Sequence, residues 1–167
     1  IKCDWSSDVC SSDLLHRNFQ GYTTKGGSDM IGVGLTSISE LDGCYSQNYK
    51  EMEEYERCID SGLLPVHRGI ELTKDDKIRK ETIMELMGSF RLVFSQIEQK
   101  FGIDFKEYFK DSLSALKEFE AEGLVSVDTD KIVVNETGKL LIRNISMPFD
   151  GYIQIGSEQK NKFSKTI

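Results

Sequence analysis

The stretch from His16 to Ser39 constrains this chain more than any other. It opens with His16-Arg17-Asn18-Phe19-Gln20-Gly21-Tyr22-Thr23-Thr24 and runs on through Lys25-Gly26-Gly27-Ser28-Asp29-Met30-Ile31-Gly32-Val33-Gly34-Leu35-Thr36-Ser37-Ile38-Ser39. Gly26-Gly27 predicts a turn, and Met30–Ser39 an apolar strand. Gly32 and Gly34 are two apart, so on a strand they leave one face bare of side chains. Such a face marks close approach by another backbone or by a ligand. Residue types alone leave both readings open: a buried strand behind a tight turn, or a strand that faces a ligand.

The chain has 167 residues, enough for a domain with a real core. Its 28 acidic and 21 basic residues give a net charge of −7, which argues against a nucleic-acid footprint and against adhesion to anionic membrane. No apolar run approaches the roughly 20 residues of a membrane span. Cys3, Cys10, Cys44 and Cys58 form no C-x-x-C pair and no metal-finger spacing, so free cytosolic thiols are expected.

Residues 1–14 show neither helical nor strand periodicity and repeat Ser-Ser-Asp at 6–8 and 11–13. They read as a non-native leader, like the translation of a sequencing adapter joined to a truncated gene. Three regions are therefore expected: the leader at 1–14, a strand region at 15–47, and a helical domain at 48–167 with a β-hairpin at 124–134.

Within the helical domain, Asn48–Ile59 predicts a glutamate-rich helix with one apolar stripe at Met52, Tyr55 and Ile59. Ser61-Gly62 stops it, and Leu63-Leu64-Pro65 is a connector. Thr73 caps the next helix, with Asp75 and Asp76 at the positive end of its dipole and Ile83, Leu86, Met87 and Phe90 on its inner face. Ser95–Glu98 reads as a capping box for a short helix closed by Gly102. Asp104 with Glu107 opens a longer helix, with Phe105, Tyr108, Phe109, Leu116 and Phe119 buried and Gly123 as its C′ residue. Leu124–Val127 and Lys131–Val134 flank a turn and predict the hairpin. A final helix spans 136–147 until Pro148.

Three helices and a hairpin in that order suggest a winged-helix-like module, an arrangement often used on DNA. The would-be reading helix carries Lys106, Lys110 and Lys117 against Asp104, Glu107, Asp111, Glu118, Glu120 and Glu122. That balance repels phosphate, so a packing module is the expectation. Nor is catalytic chemistry written in the motifs. His16 and His67 lack acids at ligand spacing, and no phosphate loop, nucleophile elbow or zinc motif is present. Gly32-Val33-Gly34 begins a G-x-G-x-x-G, but Ser37 fills the third glycine position.

The run HRNFQGYTT resembles the signature near the end of the catalytic domain of oxygen-independent coproporphyrinogen III oxidase, a radical-SAM family of heme biosynthesis. The resemblance continues through Asp29–Ser39, Asp42–Asn48, Arg68–Thr73, Phe90-Arg91-Leu92 and Gly138–Ile145. It implies an α+β fold: the terminal strand region of a partial TIM-like radical-SAM barrel, then a mostly helical, winged-helix-like C-terminal domain. It implies oxidative decarboxylation of two propionates of coproporphyrinogen III, giving protoporphyrinogen IX. The implied cofactors are S-adenosylmethionine and a 4Fe-4S cluster, with an electron donor and acceptor as partners.

By the same resemblance, Ile38 matches a position whose backbone contacts the adenosyl part of S-adenosylmethionine. Phe19 and Gln20 match a loop lining that cavity, and Gly21 and Gly34 permit close backbone approach. The cluster motif C-x-x-x-C-x-x-C is absent, so the chain is expected to be an inactive fragment of a cytoplasmic, monomeric parent. The related heme-chaperone branch, which binds heme without catalysis, is the alternative; no metal ligand or catalytic residue is assigned.

Overall fold

The structure is a computed structural model that describes residues 27–153 in full, preceded by the backbone of two short strands. The leader at 1–14 lies outside the described residues. Strands and helices are mixed, and the sheets are open rather than closed into a barrel. The chain forms two compact units, divided between Leu92 and Val93.

In the first unit, β1 (His16–Asn18) pairs antiparallel with β2 (Gly21–Thr23). β3 (Ile38–Leu41), β4 (Cys44–Asn48), α1 (Met52–Asp60), β5 (Val66–Glu71) and α2 (Lys74–Ser89) follow. β3, β4 and β5 form an antiparallel sheet in that order. The expected division at 47/48 falls inside β4, its central strand. The β3–β4 hairpin turns on Asp42 and Gly43, both at positive φ (45° and 77°), which suits the right-handed twist of its strands.

The expected strand over Met30–Ser39 is not formed. Met30 makes one bridge to Glu40, with a 2.8 Å hydrogen bond each way, and the strand proper begins at Ile38. Gly34 (φ 101°) and Thr36 (φ 60°) lie outside the β region and turn the segment into a loop. The apolar stripe of α1 also meets no core: Met52 and Ile59 are exposed, and no residue of the helix is buried. β5 was not foreseen. It lies at the edge of its sheet, and all six of its residues are exposed.

α2 starts as its sequence predicts. Thr73 Oγ1 accepts the Asp76 N–H, and the Asp76 carboxylate accepts the Thr73 N–H, closing a capping box. Its buried face is Ile78, Thr82 and Leu86, rotated from the one expected. Phe90 leaves that face because it is the C-cap, at a left-handed φ of 58°.

The second unit is entered through β6 (Arg91–Val93). α3 (Phe94–Phe101), α4 (Phe105–Tyr108), α5 (Lys110–Ala121), β7 (Val125–Val127), β8 (Lys131–Val134), α6 (Glu136–Lys139) and α7 (Ile142–Ser146) follow, then a 3-10 turn over Met147–Phe149. The sheet order is β6–β8–β7. The core is aromatic at its centre. Phe94 stacks on Phe105 at 4.4 Å between ring centroids, Phe105 meets Phe109 at 4.8 Å, and Phe149 meets Phe109 edge-on at 5.2 Å. Ser112 Oγ donates to the Pro148 carbonyl at 2.7 Å and anchors the turn that carries Phe149.

Three local expectations give way here. α3 begins at Phe94 with Val93 as N-cap, so Ser95 lies inside the first turn and caps nothing. Glu98 accepts the Phe105 N–H at 3.0 Å instead, tying α3 to α4. The long helix breaks at Phe109 (φ −106°, ψ 27°), and the final helix breaks at Leu140 and Leu141, both exposed. The signals at Gly102, Asp104 and Gly123 hold. Gly102 and Gly123 take positive φ, and Asp104 accepts the Glu107 N–H at 2.9 Å.

Among the described residues, no helix is long and apolar enough to cross a membrane.

Candidate functional site

The candidate site lies in the first unit, on the loop at 31–37 and the start of β3. The loop is held from beneath by two buried polar side chains, Ser39 and Asn48. Ser39 Oγ accepts the Gly32 N–H at 3.0 Å. Asn48 Nδ2 donates to the Gly34 carbonyl at 2.9 Å and reaches the Gly32 carbonyl at 3.4 Å. The backbone joins in: Asn48 N–H donates to Ser37 O and Thr36 N–H to Tyr49 O, each at 2.9 Å. A loop with few apolar anchors thereby has its carbonyls satisfied without a ladder.

The two glycines separate the two readings of the bare face. A Cβ on Gly32 would sit 2.6 Å from the Ile38 carbonyl oxygen, so Gly32 serves close approach by another backbone. A Cβ on Gly34 would meet nothing within 4 Å, although its φ of 101° itself favours glycine. Open space therefore lies beside Gly34, and the flanking Val33 is 86% exposed. Ile38 opens β3, paired with Gln47, and is half-buried. Gly21 lies in β2, opposite Asn18. Phe19 and Gln20 lie outside the described residues.

Gln47 and Arg68 extend the site in a way the motifs did not signal. Gln47 Nε2 donates to the Thr36 carbonyl at 3.2 Å, while its Oε1 accepts Arg68 Nε and Nη2 at 3.0 and 2.7 Å. One amide thus links the loop, β4 and β5. Gln47, Asn48 and Arg68 all fall within the segments that carry the resemblance, but their bonding follows from strand register, which sequence does not display. On β3 and β4, Glu40 takes a hydrogen bond from Lys80 of α2, whose Nζ stands 5.0 Å from the centre of the Tyr45 ring. Burial pushes the Tyr45 phenol up, against the lowering effect of Lys80. Partial burial pulls Lys80 down, but its bonds to Glu40 and Tyr45 outweigh this and leave it raised.

The loop offers backbone polar groups, open space and exposed apolar surface, which fits binding and orienting a ligand rather than acid–base chemistry. That set is compatible with S-adenosylmethionine, whose adenine and methionine ends take backbone and amide hydrogen bonds. An iron–sulfur cluster finds no such fit among the described residues. Among the described residues no three His, Cys, Asp or Glu side chains converge, and Cys44 and Cys58 are both free.

Residues 72–141 match the model of the HemN C-terminal domain. The chain is 46% identical over 153 residues to the oxygen-independent coproporphyrinogen III oxidase of Helicobacter pylori strain 26695, covering 92% of this chain and 33% of that protein. The Escherichia coli K12 protein of the same name is 43% identical, with 92% and 34% covered. A solved structure of Escherichia coli coproporphyrinogen III oxidase (HemN), described as a radical SAM enzyme, superposes with a TM-score of 0.81 at 46% identity, over 84% of this chain and 32% of that one. The chain therefore spans about a third of the length of these relatives.

Proposed function

We propose that this chain, whose residues 72–141 match the model of the HemN C-terminal domain, is the carboxy-terminal part of an oxygen-independent coproporphyrinogen III oxidase. The parent would convert two propionates of coproporphyrinogen III to vinyl groups, with loss of carbon dioxide. The observation that carries this reading is a 46% identity to such an oxidase that extends over 92% of the chain, well beyond the one matched domain.

In that parent, S-adenosylmethionine with a 4Fe-4S cluster supplies the one-electron hydrogen abstraction that precedes decarboxylation. This chain's contribution is to bind and orient. The Ile38 backbone and the open side of Gly34 would hold the adenosyl part, with Phe19, Gln20 and Gly21 on the same cavity. Asn48, Ser39 and Gln47 keep the loop in the shape that this requires. The cluster ligands are assigned to the part of the parent that this chain, about a third of its relatives' length, does not span.

Residues 15–47 are read as the end of the radical-SAM barrel and 48–167 as a helical, winged-helix-like cover. A β6–β8–β7 sheet with β6 ahead of α3 and the β7–β8 hairpin after α5 supports the second assignment. A cytoplasmic, monomeric parent with an electron donor and acceptor completes the reading.

The test is to recover the upstream coding sequence and assay the joined protein anaerobically with S-adenosylmethionine, coproporphyrinogen III, a one-electron donor and an electron acceptor. Carbon dioxide release with protoporphyrinogen IX is the expected result. Lack of an in-frame C-x-x-x-C-x-x-C, or tight hemin binding without decarboxylation, overturns the reading.

A further inference from the structure

The second unit carries a concavity of about 470 Å³ bounded by α4, α5 and the β7–β8 turn. That volume is in the range of sites that take small organic ligands, about 300–1,000 Å³. Phe94, Leu113 and Val127 form its apolar part, and Lys106, Lys110 and Lys117 line one flank.

The charge count of this helical stretch, dominated by acids, conceals how the charges are arranged. On α5, at 3.6 residues per turn, Lys110 and Lys117 fall within about 20° of arc and Asp111 and Glu118 about 100° further round, while Lys106 stands on α4, across the break at Phe109. The acids therefore form a separate stripe that does not line the concavity. Two carboxylates do line it, but both are engaged. Glu120 accepts the Val127 N–H at 3.0 Å, and Asp128 pairs with Lys131 at 3.5 Å. Among the described residues, Lys106, Lys110 and Lys117 make no ion pair and are exposed. Three ammonium groups, outnumbering the two carboxylates of the same lining, thus border an apolar hollow on a chain of net charge −7.

We propose that this concavity binds an amphipathic organic polycarboxylate, with its apolar body against Phe94, Leu113 and Val127 and its carboxylates on Lys106, Lys110 and Lys117. A compact, strongly hydrated ammonium suits separate carboxylates better than a planar, bidentate partner. A bare inorganic anion leaves the apolar part unused, and an uncharged apolar ligand leaves the lysines unpaired. The tetrapyrrole carboxylates of the proposed function belong to this class; to that extent the assignment rests on that reading. It adds a site on the second unit, away from the loop at 31–37 in sequence and built from different residues.

The experiment is a fluorescence titration of the 167-residue chain with coproporphyrin III, the stable oxidised tetracarboxylate, beside deuteroporphyrin IX, which has two carboxylates, and pyrophosphate, which has no apolar body. Coproporphyrin III is expected to bind most tightly and to weaken as salt is raised. The triple variant K106Q/K110Q/K117Q should lose about tenfold in affinity, and its arginine counterpart should stay within about threefold. All three positions are exposed, and an unchanged circular dichroism spectrum verifies the fold. Equal affinity in the wild type and the glutamine variant, preference for pyrophosphate, or no porphyrin binding each overturns the proposal. Decarboxylation by the joined parent with no porphyrin bound here would sink this site and leave the family reading standing. Lysine-dependent binding with an inactive parent would do the reverse.

Discussion

Asn48 donates its side-chain amide to the Gly34 carbonyl at 2.9 Å, fourteen residues back along the chain. With the Asn48 backbone also bonded to Ser37, this one residue closes the loop at 31–37 onto β4. Its side chain is buried, 6% exposed, and it holds a part-buried carbonyl.

Asn48→Ala should therefore destabilise the protein by about 1–3 kcal/mol, the usual cost of leaving a buried partner unsatisfied. Urea unfolding would show this as a lower midpoint with an unchanged slope. A wild-type midpoint would mean that the loop is held by other means.

Gly138 presents a sharper case. A Cβ there would come within 2.1 Å of the Leu124 carbonyl oxygen, which also accepts the Asn135 N–H at 3.1 Å. Neither backbone yields easily, since Asn135 also caps α6 through the Gly138 N–H at 2.8 Å. Gly138→Ala is expected to cost about 1–3 kcal/mol or more, as overpacking does, and to lower the thermal midpoint.

Ser146 should behave in the opposite way. Its hydroxyl is buried and has no hydrogen-bond partner among the described residues. Ser146→Ala removes an unsatisfied polar atom, so stability should hold or rise by about 1 kcal/mol. A clear loss in the same unfolding assay would show that the hydroxyl has a role.

Alkaline pH should weaken the first unit through Tyr45 and Lys80. The Tyr45 phenol is raised above its ordinary 10.0 by burial, so the unfolded chain loses that proton first and stability falls as pH rises past this value. Lys80 is raised above its ordinary 10.5, against the pull of its partial burial, by its bonds to Glu40 and Tyr45. Its contribution is complete below that value and is lost as pH climbs through the folded pKa. Unfolding midpoints measured up to about pH 11 should fall more steeply for wild type than for Tyr45→Phe/Lys80→Met. Parallel curves would contradict the linkage.

Where the deciding contacts are local, the sequence was a good guide. Thr73 with Asp76, Asp104 with Glu107, Gly102 and Gly123 all act within one helical turn, and each does what its residue type predicts. Ser95–Glu98 has the same pattern and fails, because Glu98 is drawn to the Phe105 N–H seven residues on. Met30–Ser39 has the composition of a strand, but its conformation is decided by Asn48 and Ser39. Of the candidate binding residues, Gly34 and Ile38 are four apart in one segment. That Gln47 and Arg68 brace them was not legible, because the β4–β5 register joins residues 21 apart.

By itself, then, the sequence determined the likeness to the coproporphyrinogen oxidases, the caps at Thr73 and Asp104, the hairpin at 124–134 and the absence of the cluster-binding motif, since all of these reside in residue identities or short spacings. Only the tertiary structure decided which glycine serves packing and which opens to space, and that Lys106, Lys110 and Lys117 border one concavity with Val127 and Asp128. The physical reason is the same in both cases. Backbone clearance and the partners of a charge depend on which distant segments lie alongside, and no local spacing encodes that.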